Sequence, residues 1–179
     1  YGAPKAETTT FTATGAVGVI VTNEKSQIKL ESATIGNVID FDQYDATHMG
    51  AVMTPAAVQV LMKHLNDLER KIDYYDVILT GDLGKIGVNI FREVLKECHG
   101  LKIKNHMDAG CEIFVRSQEI YSGSSGPVTL PLVLFNKILK NNKYKKILII
   151  ATGSLHSKDT TNQKRSIPSI AHAVSLEVI

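Results

Sequence analysis

Two short runs constrain this chain more than anything else in it. Asp76-Val77-Ile78-Leu79-Thr80 and Lys146-Ile147-Leu148-Ile149-Ile150-Ala151 are strand-sized and almost wholly apolar. A strand apolar on both sides must be covered on both faces, which is the habit of strands inside an α/β sheet. Each run breaks at glycine, in Gly81-Asp82-Leu83-Gly84 and in Thr152-Gly153-Ser154. Ligands of open α/β sheets gather at such carboxyl ends.

The rest of the pattern agrees with a mixed sheet carrying helices. Residues 8–22 are rich in Thr and Val, with Gly15 and Gly18 inside, and read as a strand. Ile28, Leu30, Ser32 and Thr34 alternate, so a second strand follows, and a hairpin between the two is expected. Thr54-Pro55 suits a helix start, with Val58, Leu61, Leu65 and Leu68 as its apolar stripe. A second helix carries Ile90, Phe91, Val94, Leu95 and Cys98, and Gly100 is its expected stop. A weaker strand covers 103–107, and 113–121 is ambiguous. A third helix spans 129–140, and 169–179 alternates as a closing strand. At 179 residues this is one domain, 1–179, with no internal repeat.

Composition excludes several classes. Lys plus Arg is 20 and Asp plus Glu is 18, so bulk charge gives no reason to bind nucleic acid. No apolar run approaches the ~20 residues of a membrane-spanning helix. The opening Tyr1-Gly2-Ala3-Pro4-Lys5 has neither a charged nor an apolar leader region, so no signal peptide is expected. Basic residues concentrate between 137 and 165, which reads either as solvated faces or as a weak surface for anions or anionic lipid. Cys98 and Cys111 form no metal pattern, and Cys98 falls on an apolar helix face, as a small core residue would.

Three loops lie where chemistry is expected: 80–85, 122–126 and 152–156. The first is no P-loop, because Gly81 and Gly84 are too close and Ile86 stands where a hydroxyl is needed. No G-x-S-x-G nucleophile elbow occurs. Ser122-Gly123-Ser124-Ser125-Gly126-Pro127 leads into a helix, so Ser124 and Ser125 either cap it or help its free amides hold an anion. His156 is a loop histidine beside Ser154, Ser157 and Lys158.

Several of these stretches together resemble the stage V sporulation protein AD family. They are residues 33–40 (Ala-Thr-Ile-Gly-Asn-Val-Ile-Asp), 55–58, 76–83, the Asp108-Ala109-Gly110 break, 147–155 and 166–174. The resemblance runs through the chain in one order and covers the C-terminal half of that family. It implies a thiolase-like half: a mixed five-stranded α/β sheet with helices packed on its faces, the N-terminal half being absent. In the catalytic relatives a Cys comes from that absent half, and a His and an Asn from this one. Those two positions correspond to Gly81 and Ser124, so the resemblance implies no acyl transfer and no catalytic residues here. The Asp-Cys-Gly of the family is Asp108-Ala109-Gly110, with Cys111 one place later.

What the resemblance implies instead is a non-enzymatic, dipicolinic acid-binding component of sporulation transport. It would act in spore formation and germination, with other stage V sporulation A membrane proteins as partners. The expected place is the forespore or spore, soluble or peripheral on the spore inner membrane. A homodimer would form through the absent half. No cofactor or metal of its own is expected, and calcium would arrive only as the dipicolinate chelate. On those loops the expected ligand residues are Ser124 and Ser125 as anion donors, Lys85 for charge, Asp82 to orient Lys85 or meet calcium, and His156 at the rim. Two other readings stay open: a degenerate acyltransferase that binds acyl-CoA, and a scaffold for membrane proteins without a small ligand.

Overall fold

The computed structural model describes residues 6–115, 118, 120–141 and 143–179. The opening 1–5, on which the expectation about a leader rests, lies outside the described residues, as do parts of the ambiguous stretch 113–121.

The main sheet has five strands: β2 (Ile28–Thr34), β3 (Val77–Thr80), β4 (His106–Asp108), β6 (Lys146–Ser154) and β7 (Ser169–Val178). Their order is β2-β7-β6-β3-β4. The β4-β3-β6 pairs are parallel, and the β6-β7 and β7-β2 pairs are antiparallel, so the sheet is mixed as expected. Its centre is where the sequence puts the apolar runs: all of β3 is buried, and Ile147, Leu148 and Ile150 are fully enclosed.

Alternate side chains of these strands enter two cores. Ile78, Leu148, Ile150, Ala171 and Ala173 meet α1 (Met49–Asp67) and α2 (Gly84–His99) on one face. Val77, Leu79, Ile147 and Ile149 meet the other face. There α3 (Ala109–Glu112) precedes α4 (Thr129–Val133), which runs on through a π turn (Leu134–Ile138) and a 3-10 turn (Leu139–Asn141). Gly100 ends α2 in the left-handed conformation, at φ 65°, as its sequence position predicts. Helices α1 and α2 touch so closely that a Cβ on Gly87 would lie 2.8 Å from the Cα of Gly50.

Four expectations need correction. Helix α1 begins at Met49, not at Thr54, because His48 Nδ1 accepts the Ala51 N–H at 3.1 Å and caps it. Pro55 therefore sits inside the helix, and the Thr54 hydroxyl turns back to the Gly50 carbonyl at 2.7 Å. The hairpin does not form. Of residues 8–22 only β1 (Thr10–Thr12) is a strand, and it pairs in parallel with β5 (Gly123–Ser125). β2 pairs with β7 instead, whose alternating buried positions supply a longer ladder. Cys98 is exposed rather than a core residue. The loop expected at 152–156 is shorter, since β6 continues to Ser154 and α5 (Lys158–Asn162) follows it.

Beyond β1 the chain runs without a ladder across the β2-β7 end of the sheet. Val19, Ile20 and Val21 are 58%, 92% and 80% exposed there. A groove of about 910 Å³ lies beneath, against Leu30, Leu176, Phe135 and Leu139. No helix among the described residues is long and apolar enough to cross a membrane.

Candidate functional site

The carboxyl ends of β3 and β6 open into a cleft of about 490 Å³. Gly81 and Asp82 come from β3, and Ala151 to Ser154 from β6. Ser125, Gly126 and Pro127 come from the Ser/Gly loop, and Met49, Met53, Leu130 and Pro131 from the flanking helices. Sheet register puts these segments side by side, because Thr80, the last residue of β3, pairs with Ile150, and β6 runs on to Ser154 beside the turn that follows β3.

Asp82 is the buried carboxyl of this cleft. Its Oδ2 accepts the Gly126 N–H at 3.0 Å, and its Oδ1 accepts the Thr152 hydroxyl at 3.0 Å. Burial raises its pKa; the two hydrogen bonds oppose this, and the charge of Asp108 adds to it. The Gly126 amide of the loop expected to greet an anion is thus already held by a carboxylate. Gly81 must be small: a Cβ there would come within 2.8 Å of Thr152 Oγ1, the hydroxyl that serves Asp82.

Ser125 faces the cleft, and its Oγ accepts the Thr10 hydroxyl at 2.9 Å. Ser124 is 1% exposed and turns the other way, with its hydroxyl 3.1 Å from Thr129 Oγ1. Lys85 is exposed, and its Nζ donates to the Ile120 carbonyl at 3.4 Å, outside the cleft lining. His156 is exposed as well. It bridges Ser154 Oγ at 3.1 Å and the Ala46 carbonyl at 3.0 Å, tying the β6 end to the chain before α1. Of the five expected ligand residues, Asp82 and Ser125 meet in the cleft, while Ser124, Lys85 and His156 surround it.

A second chain of polar groups, running from the exposed Arg92 to the buried His106, Thr80 and Asp108, stands behind Asp82, and the sequence pattern did not single it out. Arg92 Nε donates to His106 Nδ1 at 3.3 Å. That leaves His106 Nε2 to carry the proton toward Thr80 Oγ1, 2.9 Å away. Thr80 donates in turn to Asp108 Oδ2 at 2.6 Å. Asp108 also accepts the N–H groups of Leu83, Gly84 and Cys111, so one carboxyl organises the starts of both α2 and α3. The signal was present as an Asp just before a short helix, which is an N-cap pattern. Burial and the Arg92 charge bring the His106 pKa down to about 3. Burial, with Asp108 beside it, pushes the Cys111 thiol up to about 12, so it is a poor nucleophile at neutral pH.

Among the described residues no three His, Cys, Asp or Glu side chains converge as a metal site. Among the described residues the cleft lining contains no Cys, His, Lys or Arg. Chemically the site offers a carboxylate, hydroxyls and apolar walls from Met49, Met53, Leu130 and two prolines.

Comparisons with known proteins bear on this arrangement. In overall structure the chain is similar to AbyA1, a tetronic acid condensing enzyme, with a TM-score of 0.52 and 12% identity over 88% of this chain and 51% of that one. That likeness concerns the fold alone, which is a thiolase-like half. In sequence the chain is 37% identical to the stage V sporulation protein AD of Bacillus subtilis (strain 168) over 180 residues. The match takes in 99% of this chain and 53% of that protein, so the chain spans about half the length of its relative. The family model described as stage V sporulation protein AD matches residues 1–177. On both sequence grounds, the chain belongs to the stage V sporulation protein AD family.

Proposed function

We propose that this protein binds dipicolinic acid, as its calcium chelate, without chemical turnover, as a component of sporulation transport. One observation carries the reading: the strand-end cleft presents Asp82 and Ser125 between apolar walls, with no Cys or His among the described residues that line it. A volume of about 490 Å³ suits a small aromatic ligand. Free dipicolinate is a dianion and would meet the Asp82 carboxylate with no cation beside it. The calcium chelate is neutral. Asp82 can then give an oxygen to the metal, a hard cation that takes carboxylates readily. Ser125 can donate to a ligand carboxylate.

The acyl-transfer alternative asks for a nucleophile and an oxyanion donor. Gly81 has no side chain to donate, and the Ser124 hydroxyl is engaged with Thr129 behind the cleft. In this reading Lys85, Ser124 and His156 support the rim and the loop. The partners are other stage V sporulation A membrane proteins, and the place of action is the forespore or spore inner membrane, in spore formation and in germination. A homodimer would form through a part of the protein not matched by this chain.

Calorimetric titration of the full-length gene product with calcium dipicolinate tests the reading. Micromolar binding is expected, roughly −8 kcal/mol, with no mass change after incubation with acyl-CoA. No heat at millimolar chelate, or a covalent acyl adduct, overturns it.

A further inference from the structure

We infer that Thr10 is a positioning residue for the cleft: it fixes Ser125 as a hydrogen-bond donor to the ligand. The inference rests on the binding function proposed above and concerns a residue remote in sequence from the loops that line the site.

Among the described residues strand β1 pairs with β5, and its register brings Thr10, Phe11 and Thr12 against Gly123, Ser124 and Ser125. The pairing is anchored beyond both ends. Ser122 N–H donates to the Thr9 carbonyl at 2.9 Å, and Ala13 N–H donates to the Ser125 carbonyl at 2.9 Å. Phe11 stacks on Tyr121, with ring centroids 5.9 Å apart, and meets Phe114 edge-on at 6.3 Å. Tyr121, just before the Ser/Gly loop, is thereby seated against β1.

Within that unit the hydroxyls are ordered. A serine hydroxyl has one proton and accepts with its lone pairs. Thr10 Oγ1 donates its proton to Ser125 Oγ at 2.9 Å. The Ser125 proton is thus directed away from Thr10, and Ser125 lines the cleft. A hydroxyl that accepts one hydrogen bond is also a better donor of the next. On the following residue the Gly126 N–H is held by Asp82 at 3.0 Å. Two successive loop residues are therefore clamped, one by Thr10 and one by Asp82, and Ser125, which keeps its own proton to donate, lines the site between them. An acceptor such as a carboxylate is what this arrangement selects, and a ligand group that can only donate is disfavoured.

The test is a thermodynamic cycle on the full-length gene product, titrated with calcium dipicolinate. Thr10→Val keeps the branched shape and removes the proton. It is expected to weaken binding roughly fivefold, the scale of one net hydrogen bond, with an unchanged melting temperature. Thr10→Ser is expected to restore affinity, since a structural loss at this strand would not be rescued by the less β-prone residue. Ser125→Ala is expected to weaken binding, and the double variant to be no weaker than Ser125→Ala alone. Unchanged affinity in Thr10→Val beside a binding wild type overturns this inference and leaves the proposed function standing. So do additive losses in the double variant. Absence of binding by the wild type overturns both.

Discussion

At the scale of single residues, the site turns on one carboxyl that serves two structural partners and, in the proposed function, the ligand. Asp82→Ala strands the Gly126 N–H and the Thr152 hydroxyl, whose acceptor it is. Leaving buried donors unpaired costs about 1–3 kcal/mol. A denaturation midpoint lowered by that amount, together with lost chelate binding, is the expected outcome. Asp82 also predicts a pH profile. Burial raises its pKa above the ordinary carboxylate value. Chelate affinity therefore falls on acidification, beginning at a higher pH than an exposed Asp would give. Asp82→Asn removes that dependence, which titrations across the acid range would show. The Asp82 position was legible because it follows a buried strand directly. The roles of Lys85 and Ser124 were not. Residue type and spacing do not reveal which way a side chain leaves a loop, and here one points outward and the other into the protein.

At the scale of elements, the β2 edge of the sheet is fastened by a polar network. Glu31 accepts from both Arg70 guanidinium nitrogens, at 3.2 and 2.9 Å, from Tyr74 at 2.7 Å and from Ser175 at 2.7 Å. Burial alone would raise its pKa; the Tyr74 and Ser175 hydrogen bonds and the charges of Arg70 and Lys146 outweigh that and bring it to about 2. A carboxyl with a depressed folded pKa stabilises the fold above its unfolded value. That stability is lost as pH falls from the ordinary value of 4.5 toward about 2. Buried His64 and His106, both with lowered pKa, act in the same direction from a higher pH, because they must be charged on unfolding. Stability should therefore decline below about pH 6.5 and fall further in the Glu31 window. Glu31→Gln flattens only that lower limb of a plot of denaturation midpoint against pH. The α1–α2 contact makes a separate prediction. Gly87→Val has no room beside Gly50 and should cost roughly 1–3 kcal/mol, seen as a lower melting temperature. Helix periodicity made both helices visible, yet it gave no warning of this close crossing. It also misplaced the start of α1, since a His cap is a weaker sequence signal than Thr-Pro.

At the scale of the whole molecule, the order and mixed character of the five-stranded sheet follow from a small number of patterns. The two apolar runs marked its centre, and the alternation of 169–179 marked the strand beside it. Local pattern failed where pairing is long-range. Residues 8–22 have the composition of a strand, and composition does not name a partner. β1 finds its partner in β5, far along the chain, and the residues after it pair with no strand among those described.

That last stretch has a practical consequence. Val19, Ile20 and Val21 offer apolar side chains, on a backbone that pairs with no strand among those described, to whatever comes near. Such a segment is a template for growth by addition of strands, and concentration decides how often it is used. A preparation of this 179-residue chain is expected to gain mass with concentration in light scattering. Ile20→Lys should shift that rise to higher concentration while leaving the near-ultraviolet spectrum of the folded sheet unchanged. Equal association of the two proteins would show that the stickiness resides elsewhere. For anyone handling the chain, colloidal behaviour will be governed by these few residues at the opposite end of the sheet from the ligand cleft.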